Sequence, residues 1–318
     1  MSETTPLTTA DIPFIRSRMD GVATMTDCLP YTYGFINHGV FKGNKVVSED
    51  TLLLFSVKYG KYYRVYRAYG DKDAVIPELV AWWQAYKGST DKNLKIENVP
   101  ASWAADIAAA FMAEGVKLTP GKFSEYGEYT YDIAGIDTLS GKKWRRLRAD
   151  INAFKRTTTG YTAEPIDSGN LEEARAVMKR WVKESKERGG MNINYRKYEY
   201  ILDRHYEDGI NRLYRIDGEP LVIHLNQPMT ETCWGHTTGM ACDRGIPNLS
   251  AWAQHDCFAD MARQGVTHVA DGVAIGEGGK HGFNATYKRK FNPFDPSPRY
   301  VSFLLPAQPV VEESPFFL

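Results

Sequence analysis

Two periodicities alternate along this chain and predict a mixture of helices and strands. Apolar residues recur every three or four positions in several stretches, which is the spacing of a helix with one buried face. These stretches are 8–19, 73–87, 102–114, 170–186, 195–206 and 249–264. Runs rich in β-branched and aromatic residues predict strands or hairpins at 51–69, 95–99, 126–133, 161–166, 213–225, 230–241, 266–270 and 299–305. Asp217-Gly218 marks the turn of the 213–225 hairpin, because this dipeptide favours two-residue hairpin loops.

The stretch 139–156 predicts a further helix whose two faces differ sharply in polarity. Trp144, Leu147, Ile151 and Phe154 fall on one apolar stripe. The basic residues, set against Asp150 alone, are Lys142, Lys143, Arg145, Arg146, Arg148, Lys155 and Arg156. Two interpretations stay open for this basic face: it is simply exposed to solvent, or it binds an anionic ligand.

The chain is long enough for two domains. At roughly 100–200 residues per domain, its 318 residues predict two domains or one large one. We expect residues 1–138 and residues 139–318 to form two similar α/β units, with the active site in the second. We also expect the apolar stripe of the basic helix to be buried where the two units meet, because such a helix has no other need for that face.

Composition narrows the class of protein. Lys and Arg together number 39, as do Asp and Glu, so the chain does not coat nucleic acid or a charged membrane with its whole surface. No apolar run approaches the ~18–20 residues of a membrane span, and the N-terminus lacks the features of a signal peptide. Four cysteines in a chain of this length are no disulfide framework. We therefore expect a cytoplasmic protein with reduced thiols and no membrane span.

The order of elements and two sequence motifs resemble known proteins. From residue 161 the predicted order, β-α-α-β-β-β-α-β-α-β, is similar to that of the GNAT N-acyltransferase fold, and the first half shows a shorter version. The segments Tyr129-Thr130-Tyr131-Asp132 and Leu139-Ser140-Gly141-Lys142-Lys143, followed by Arg148, Asn152 and Phe154, resemble the signature of the lysylphosphatidylglycerol synthase C-terminal domain family. Gly282-Phe283 and then Lys288-Arg289-Lys290-Phe291-Asn292-Pro293 resemble that family's closing element.

This resemblance implies a fold and a reaction. The fold is α/β (α+β): tandem GNAT-like acyltransferase domains, distantly similar to the Fem peptidyltransferases, each a mixed, mostly antiparallel sheet with helices on both faces. The implied reaction is transfer of an acyl or aminoacyl group, with Tyr129, Arg148, Asn152 and Lys290 binding substrate. Asn284-Ala285-Thr286 stands where the family has an arginine. An inert GNAT-fold binding module is therefore a competing interpretation.

The residues themselves offer candidates for this chemistry. Asp271, after a predicted buried strand, and Glu277 could act as general base, although an Asx-turn and a solvated loop acid are the plain alternatives. Gly276, Gly278 and Gly279 lie in a glycine-rich loop whose amides could bind an anion, or which is simply a flexible turn. Lys288 follows this loop and could stabilise a developing oxyanion. Lys290 could neutralise a phosphate of the carrier.

Several other chemistries find no support in the sequence. There is no G-x-S-x-G elbow and no Walker A sequence. Cys233, His236, Cys242, His255 and Cys257 do not have the spacing of a standard zinc site, so we expect no metal.

The expected co-substrate is an acyl carrier, and no cofactor is expected to be permanently bound. Asp243–Asn248 stands where GNAT proteins bind pyrophosphate, and Pro247 removes an amide donor there. This favours aminoacyl-tRNA slightly over acyl-coenzyme A. The acceptor, an amine or a hydroxyl group, could belong to a peptide, a metabolite, a lipid head group or a modified nucleobase.

Overall fold

A computed structural model describes most of the chain. The described residues are 5–6, 8–11, 13, 43–47, 51–58, 62–87, 93–187, 196–204, 209–242, 245–274, 286–293 and 299–305. Among them, no helix combines the length and the apolar composition needed to cross a bilayer. Of the predicted 8–19 helix, Thr9–Asp11 forms a 3-10 turn and residues 14–19 lie outside the described part.

The strands and helices alternate irregularly along the chain. The strands are β1 (Thr5–Pro6), β2 (Gly43–Val47), β3 (Leu52–Lys58), β4 (Tyr62–Tyr69), β5 (Asn93–Pro100), β6 (Thr119–Asp132), β7 (Tyr161–Pro165), β8 (Arg212–Ile216), β9 (Glu219–Pro228), β10 (Cys233–Ala241), β11 (His268–Ala274) and β12 (Arg299–Leu305). The α-helices are α1 (Lys72–Tyr86), α2 (Ala104–Ala113), α3 (Arg145–Thr157), α4 (Leu171–Glu187), α5 (Arg196–Arg204) and α6 (Leu249–Arg263).

The chain folds into two compact units. Of the described residues, those up to Gly127 and strand β12 make up the first unit, and those from Glu128 to Pro293 make up the second. The predicted division into residues 1–138 and 139–318 stays a prediction.

The first unit is a mostly antiparallel sheet with one parallel pair. Its strand order is β1-β2-β3-β4-β5-β12-β6, in which β4 and β5 are parallel and α1 connects them. Helices α1 and α2 supply Trp83 and Phe111 to its core, with ring centroids 5.7 Å apart. The other buried core residues include Leu53, Val65, Leu79, Ile96, Ile107 and Leu305.

The second unit repeats this pattern of mostly antiparallel strands with one parallel pair. Its order is β6-β11-β10-β9-β8-β7, and β10 and β11 form the parallel pair, connected by α6. The β8–β9 hairpin turns at Asp217 and Gly218 with φ values of 49° and 85°. Positive φ at both central residues is what a type I′ turn requires, so the predicted hairpin turn is confirmed.

The basic helix is shorter than the sequence predicts. Helix α3 begins at Arg145, not at residue 139, because the preceding segment turns through positive φ at Leu139 (51°) and Gly141 (83°). The Arg148 guanidinium holds this turn, since its Nη1 donates to the carbonyl oxygens of both residues, at 3.2 Å for Gly141. Trp144 precedes the helix as its N-cap residue.

The apolar stripe of the basic helix is buried within the second unit. Trp144, Leu147, Ile151 and Phe154 are all at most 2% exposed. They belong to a core cluster that is made of second-unit residues. Phe154 stacks on Trp252 of α6 with ring centroids 4.6 Å apart. The core of the second unit is therefore sufficient to explain the stripe.

Candidate active site

Strand β11 carries an acidic residue into the interior of the second unit. Asp271 lies within β11, whereas the sequence analysis ended this strand at residue 270. The side chain of Asp271 is 8% exposed. Tyr131 of β6 donates its hydroxyl proton to Oδ2 of Asp271 at 2.8 Å. A buried carboxylate needs such partners, because desolvation of its charge is costly.

Lys288 supplies the opposite charge. Its Nζ lies 3.3 Å from Oδ2 of Asp271, and the ammonium also donates to the backbone oxygen of Asp271. The side chain is 16% exposed. Tyr129, two residues before Tyr131 on β6, places its ring centroid 5.3 Å from the same Nζ. The structure thus brings together three residues that the sequence analysis selected: Asp271, Lys288 and Tyr129.

Aromatic rings fix the position of Tyr131. Its ring lies 5.9 Å from those of Phe258 and Phe291, measured between centroids, and those two rings are 5.5 Å apart. Phe291 belongs to the Lys288–Pro293 motif, so the same short segment supplies the ammonium group and part of the aromatic support. Tyr131 lay inside the quoted tyrosine-rich motif, yet nothing in the sequence distinguished its hydroxyl group from those of its neighbours.

A histidine lies on the other side of the carboxyl group. Nε2 of His236 is 4.0 Å from Oδ1 of Asp271, and Nδ1 of His236 is 2.8 Å from Oδ1 of Asn226. Asn226 and His236 are direct cross-strand partners in the β9–β10 pairing. The sequence analysis set a metal ligand against a core or pocket-lining role for His236, favoured the latter, and selected neither His236 nor Asn226 for the site.

Burial dominates the acid–base properties of this cluster. It raises the pKa of Asp271, and the Lys288 ammonium and the Tyr131 hydroxyl partly oppose this rise. Burial, reinforced by the Asp271 charge, holds the pKa of Tyr131 well above its usual range. Burial also lowers the pKa of His236 to about 3, with Lys288 adding to the effect. At neutral pH His236 is uncharged and Tyr131 is a proton donor.

We predict that His236 makes the fold sensitive to mild acid. A histidine whose pKa is lower in the folded state stabilises the fold fully above its unfolded pKa of ~6.5, and this stability is lost as the pH falls below that value. The loss is about 1.4 kcal/mol per pH unit for one such residue. Urea unfolding at pH 7, 6 and 5 should therefore show a shallower pH dependence for His236→Phe than for the wild type. Equal slopes would contradict the prediction.

Three further predicted residues, Lys290, Arg148 and Asn152, make no described contact with Asp271. Lys290 pairs with Asp150 of α3 at 2.7 Å. Arg148 holds the 139–141 turn and, like the exposed Asn152 on the same helix, makes none of the described contacts around Asp271. Residues Gly276, Glu277, Gly278 and Gly279 lie outside the described part of the chain, so their predicted roles stay predictions.

The cysteines do not build a metal centre in the described part of the chain. Cys233, Cys242 and Cys257 are buried, and none of them forms a disulfide bond with another described residue. Within the described ranges, no group of three or more histidine, cysteine or acidic side chains is arranged to hold a metal ion. Burial raises the pKa of Cys257 to about 12, so that its thiol is neutral. Cys257 instead accepts a hydrogen bond from Asn226 Nδ2 at 3.2 Å.

Comparison with known proteins gives one family and several similar structures. The family model described as phosphatidylglycerol lysyltransferase, C-terminal, matches residues 37–205, just over half of the chain. No curated protein sequence matches. The matched range ends before Asp271 and Lys288, so their assignment to a site depends on their geometry.

Three solved structures resemble nearly the whole chain. A conserved protein of unknown function from Bacteroides thetaiotaomicron has a TM-score of 0.74 and 17% identity, with 96% of this chain and 100% of that chain covered. L-PGS from Bacillus licheniformis has a TM-score of 0.59 and 17% identity, with 96% of this chain and 93% of that chain covered. FemX has a TM-score of 0.63 and 12% identity, with 97% of each chain covered. Since a GCN5-related N-acetyltransferase from Sphaerobacter thermophilus is also similar, with a TM-score of 0.52, the predicted GNAT-like fold is confirmed.

Proposed function

This chain belongs to the phosphatidylglycerol lysyltransferase C-terminal family and is an acyltransferase with the GNAT fold, and we propose that it transfers an aminoacyl group from aminoacyl-tRNA to an amine or hydroxyl acceptor. The observation that carries the proposal is the buried contact of Asp271 with Lys288 and Tyr131. The Asp271 carboxyl group, a candidate base, and the Lys288 ammonium group lie 3.3 Å apart. Acyl transfer needs both functions at one place.

Asp271 would serve as the general base. An acceptor amine must lose a proton when it attacks the acyl carbon, and a carboxylate with a raised pKa takes up that proton more readily than an ordinary one. Burial provides this rise in the pKa of Asp271. Tyr131 holds Oδ2 through its hydroxyl group, which leaves Oδ1 to receive the proton.

Lys288 would stabilise the developing negative charge. An ammonium group has three N–H donors, and its described contacts with the carboxylate and the backbone oxygen of Asp271 account for two of them. The third N–H can donate to the oxyanion of the tetrahedral intermediate. In a water-poor site such a donor is typically worth about 3 kcal/mol of barrier. The Tyr129 ring beside Nζ favours the charged form of the lysine through a cation–π contact.

Helix α3 offers a surface that could bind the phosphates of a tRNA. Arg145 and Arg146 are exposed at its first turn and make no ion pair with any described residue. Lys155 and Arg156 are exposed at its last turn. These side chains are free to neutralise phosphate, while the apolar face of the helix stays in the core.

The donor can be identified by comparing two acyl carriers in separate reactions. Purified protein would be incubated with labelled total aminoacyl-tRNA or with labelled acetyl-coenzyme A. Each reaction would contain a mixture of candidate acceptors: peptides, small amines, vesicles of phosphatidylglycerol, and nucleosides. Mass spectrometry would then identify the acylated product. We expect an acylated product with aminoacyl-tRNA. A product with acetyl-coenzyme A alone would show that acyl-coenzyme A, and not aminoacyl-tRNA, is the donor. No product with either carrier would favour the inert binding module.

We predict that charge reversal on helix α3 weakens tRNA binding. The double substitution Arg145→Glu with Arg146→Glu should lower the affinity at least about tenfold near physiological salt. It should also reduce the slope of log affinity against log salt by about two, since two phosphate contacts are lost. A filter-binding titration at several salt concentrations measures both quantities.

A matched control comes from another exposed helix face. Lys179 and Lys183 lie exposed on α4, and reversing their charge with Lys179→Glu and Lys183→Glu changes the net charge by the same amount. This control should leave the affinity within a factor of about three. Equal effects of the two double substitutions would mean that binding depends only on net charge, which would contradict the assignment of α3.

A further inference from the structure

His236 is a buried histidine whose two ring nitrogens have different surroundings. The side chain is 4% exposed, and its Nδ1 contacts Asn226 while its Nε2 faces Asp271. The proposed reaction assigns no task to either His236 or Asn226. Both belong to the second unit, and they reach the carboxyl group from strands β9 and β10.

The hydrogen bonds of Asn226 determine which nitrogen of His236 carries the proton. Nδ2 of Asn226 donates to the backbone oxygen of Ile210 at 2.6 Å and to Sγ of Cys257 at 3.2 Å. These bonds fix the orientation of the amide, so Oδ1 is the atom that faces His236 at 2.8 Å. An amide oxygen accepts and cannot donate, and therefore Nδ1 of His236 carries the hydrogen. In a neutral imidazole the other nitrogen, Nε2, then has a free lone pair.

The lone pair on Nε2 faces the open oxygen of Asp271. Oδ2 of Asp271 accepts from Tyr131 and contacts Lys288, whereas on the Oδ1 side Nε2 of His236 lies 4.0 Å away. Two lone pairs face each other while Asp271 is ionised. Once Oδ1 is protonated, it can donate to Nε2 after an approach of about 1 Å. The arrangement thus favours the protonated form of the carboxyl group.

We infer that His236 is a positioning residue for Asp271: Asn226 holds it with hydrogen on Nδ1, and its Nε2 accepts a hydrogen bond from the carboxyl group whenever Asp271 is protonated. This inference deepens the proposed function, on which its catalytic meaning rests. The titratable groups that face Asp271 from the surrounding elements are Tyr131, His224, His236, Tyr287 and Lys288.

With an aminoacyl ester as donor and an amine as acceptor, every proton released during one transfer is taken up again within the same turnover. The acceptor nitrogen forms a bond to the acyl carbon and gives its proton to Oδ1 of Asp271. The protonated Oδ1 then donates to Nε2 of His236 during the lifetime of the tetrahedral intermediate. When the carbon–oxygen bond of the ester breaks, the leaving ribose oxygen takes the proton back from Asp271. His236 stays neutral throughout and ends the cycle unchanged.

His224 provides a matched control ring. It stacks on His236 with centroids 5.0 Å apart and an interplanar angle of 24°. Gly239, its cross-strand partner, leaves room for this ring, since a Cβ there would come within 2.6 Å of it. Nδ1 of His224 is buried and has no hydrogen-bond partner among the described residues. Phenylalanine at position 224 therefore keeps the stacked shape and removes no described hydrogen bond.

The first test measures the tautomer of His236 in the wild-type protein, and a substitution serves only to assign its signal. Nitrogen-15 NMR of the histidine-labelled full chain at pH 7 should show a neutral ring protonated on Nδ1, and the His236→Phe spectrum would assign the signal. A ring protonated on Nε2, or a doubly protonated imidazolium, would overturn the inference.

The second test follows the titration of Asp271 by carbon-13 NMR of its carboxyl group. His236→Phe keeps a buried ring but removes the acceptor, so the acid dissociation constant of Asp271 should rise about tenfold. His224→Phe should change that constant less than threefold. An unchanged constant in His236→Phe, or equal changes in both variants, would overturn the inference.

The third test connects the inference with turnover. If the wild type transfers an aminoacyl group, the acidic limb of kcat/KM against pH should move to lower pH in His236→Phe and stay in place in His224→Phe. Absence of any transfer by the wild type would count against the proposed function alone, because both NMR results would still decide the role of His236. If His236→Phe is active and the acidic limb of its kcat/KM profile lies at the same pH as in the wild type, the positioning role of His236 would be overturned.

Discussion

Replacing Lys288 with alanine should lower the rate of transfer about 100-fold or more. The ammonium group is the positive charge nearest to the buried carboxylate, with Nζ 3.3 Å from Oδ2 of Asp271. Loss of one donor to a developing oxyanion typically costs about 3 kcal/mol of barrier, which corresponds to this factor. Single-turnover measurements with labelled donor would report the loss in the chemical step. Turnover of Lys288→Ala within tenfold of the wild type would mean that the active site lies elsewhere.

The same substitution should also destabilise the fold, contrary to what an exposed lysine would do. The side chain of Lys288 is only 16% exposed, and its loss leaves Asp271 buried without its cation. Breaking such a pair costs about 3 kcal/mol. The cost should be largest at high pH and shrink as the pH falls, because the carboxyl group, whose pKa burial raises, can then take up a proton.

Two variants separate the charge of Lys288 from its packing and from general surface effects. Lys288→Met keeps the aliphatic stem but not the charge, and it should lose as much rate as Lys288→Ala while packing better. Lys72 forms an exposed pair with Asp106 in the first unit, with Nζ and Oδ2 2.7 Å apart. Lys72→Ala should therefore leave both the turnover and the urea midpoint of unfolding essentially unchanged. Full activity in Lys288→Met would assign the effect to packing and remove the charge from the mechanism.

Local signals in the sequence were enough to predict the elements around the site. The apolar stripe from Trp144 to Phe154 is buried because a period of 3.6 residues leaves it on one face of the helix. The turn at Asp217-Gly218 follows from the positive φ that these residues tolerate. Asp271 and Lys288 could be selected because a buried strand leads to the first and a basic motif contains the second.

Contacts between distant strands could not be predicted in the same way. His236 reaches Asn226 only through the register of β9 with β10, and that register shifts at a bulge between His236 and Thr238. A shift of one residue would turn either side chain to the other face of the sheet. No local pattern fixes such a shift, so neither Asn226 nor His236 could be selected as a partner of Asp271.

Arg148 illustrates a second limit of the sequence. Its place in a basic motif suggested a grip on substrate, yet the guanidinium donates to the carbonyl oxygens of Leu139 and Gly141. These carbonyl groups precede the helix in a turn with positive φ, and the arginine satisfies them. A sequence motif alone does not distinguish a residue that binds substrate from one that stabilises the fold. An arginine can do either, because its positive charge binds an anionic substrate and its N–H groups also donate to backbone carbonyl groups.

Asp271→Asn should reduce transfer further, by about 1,000-fold, because loss of a general base costs 10²- to 10⁴-fold. The substitution keeps the size of the side chain, and its amide oxygen still accepts from the Tyr131 hydroxyl. The buried charge disappears, which relieves its desolvation, but Lys288 loses its partner. These two effects oppose each other, so the free energy of unfolding at pH 7 should change by less than about 2 kcal/mol. Urea unfolding of this variant and the wild type would establish that the inactive protein is folded.

The double substitution Asp271→Asn with Lys288→Ala should separate stability from activity. Because base and cation act in one step, the double variant should be about as slow as Asp271→Asn alone, not slower by the product of both factors. Its stability should recover relative to Lys288→Ala, because no buried carboxylate is left without its cation. Matching these rates and unfolding curves across the wild type, both single variants and the double variant completes a thermodynamic cycle. Rate losses that simply multiply would show that Asp271 and Lys288 act independently, and the shared site proposed for them would then be wrong.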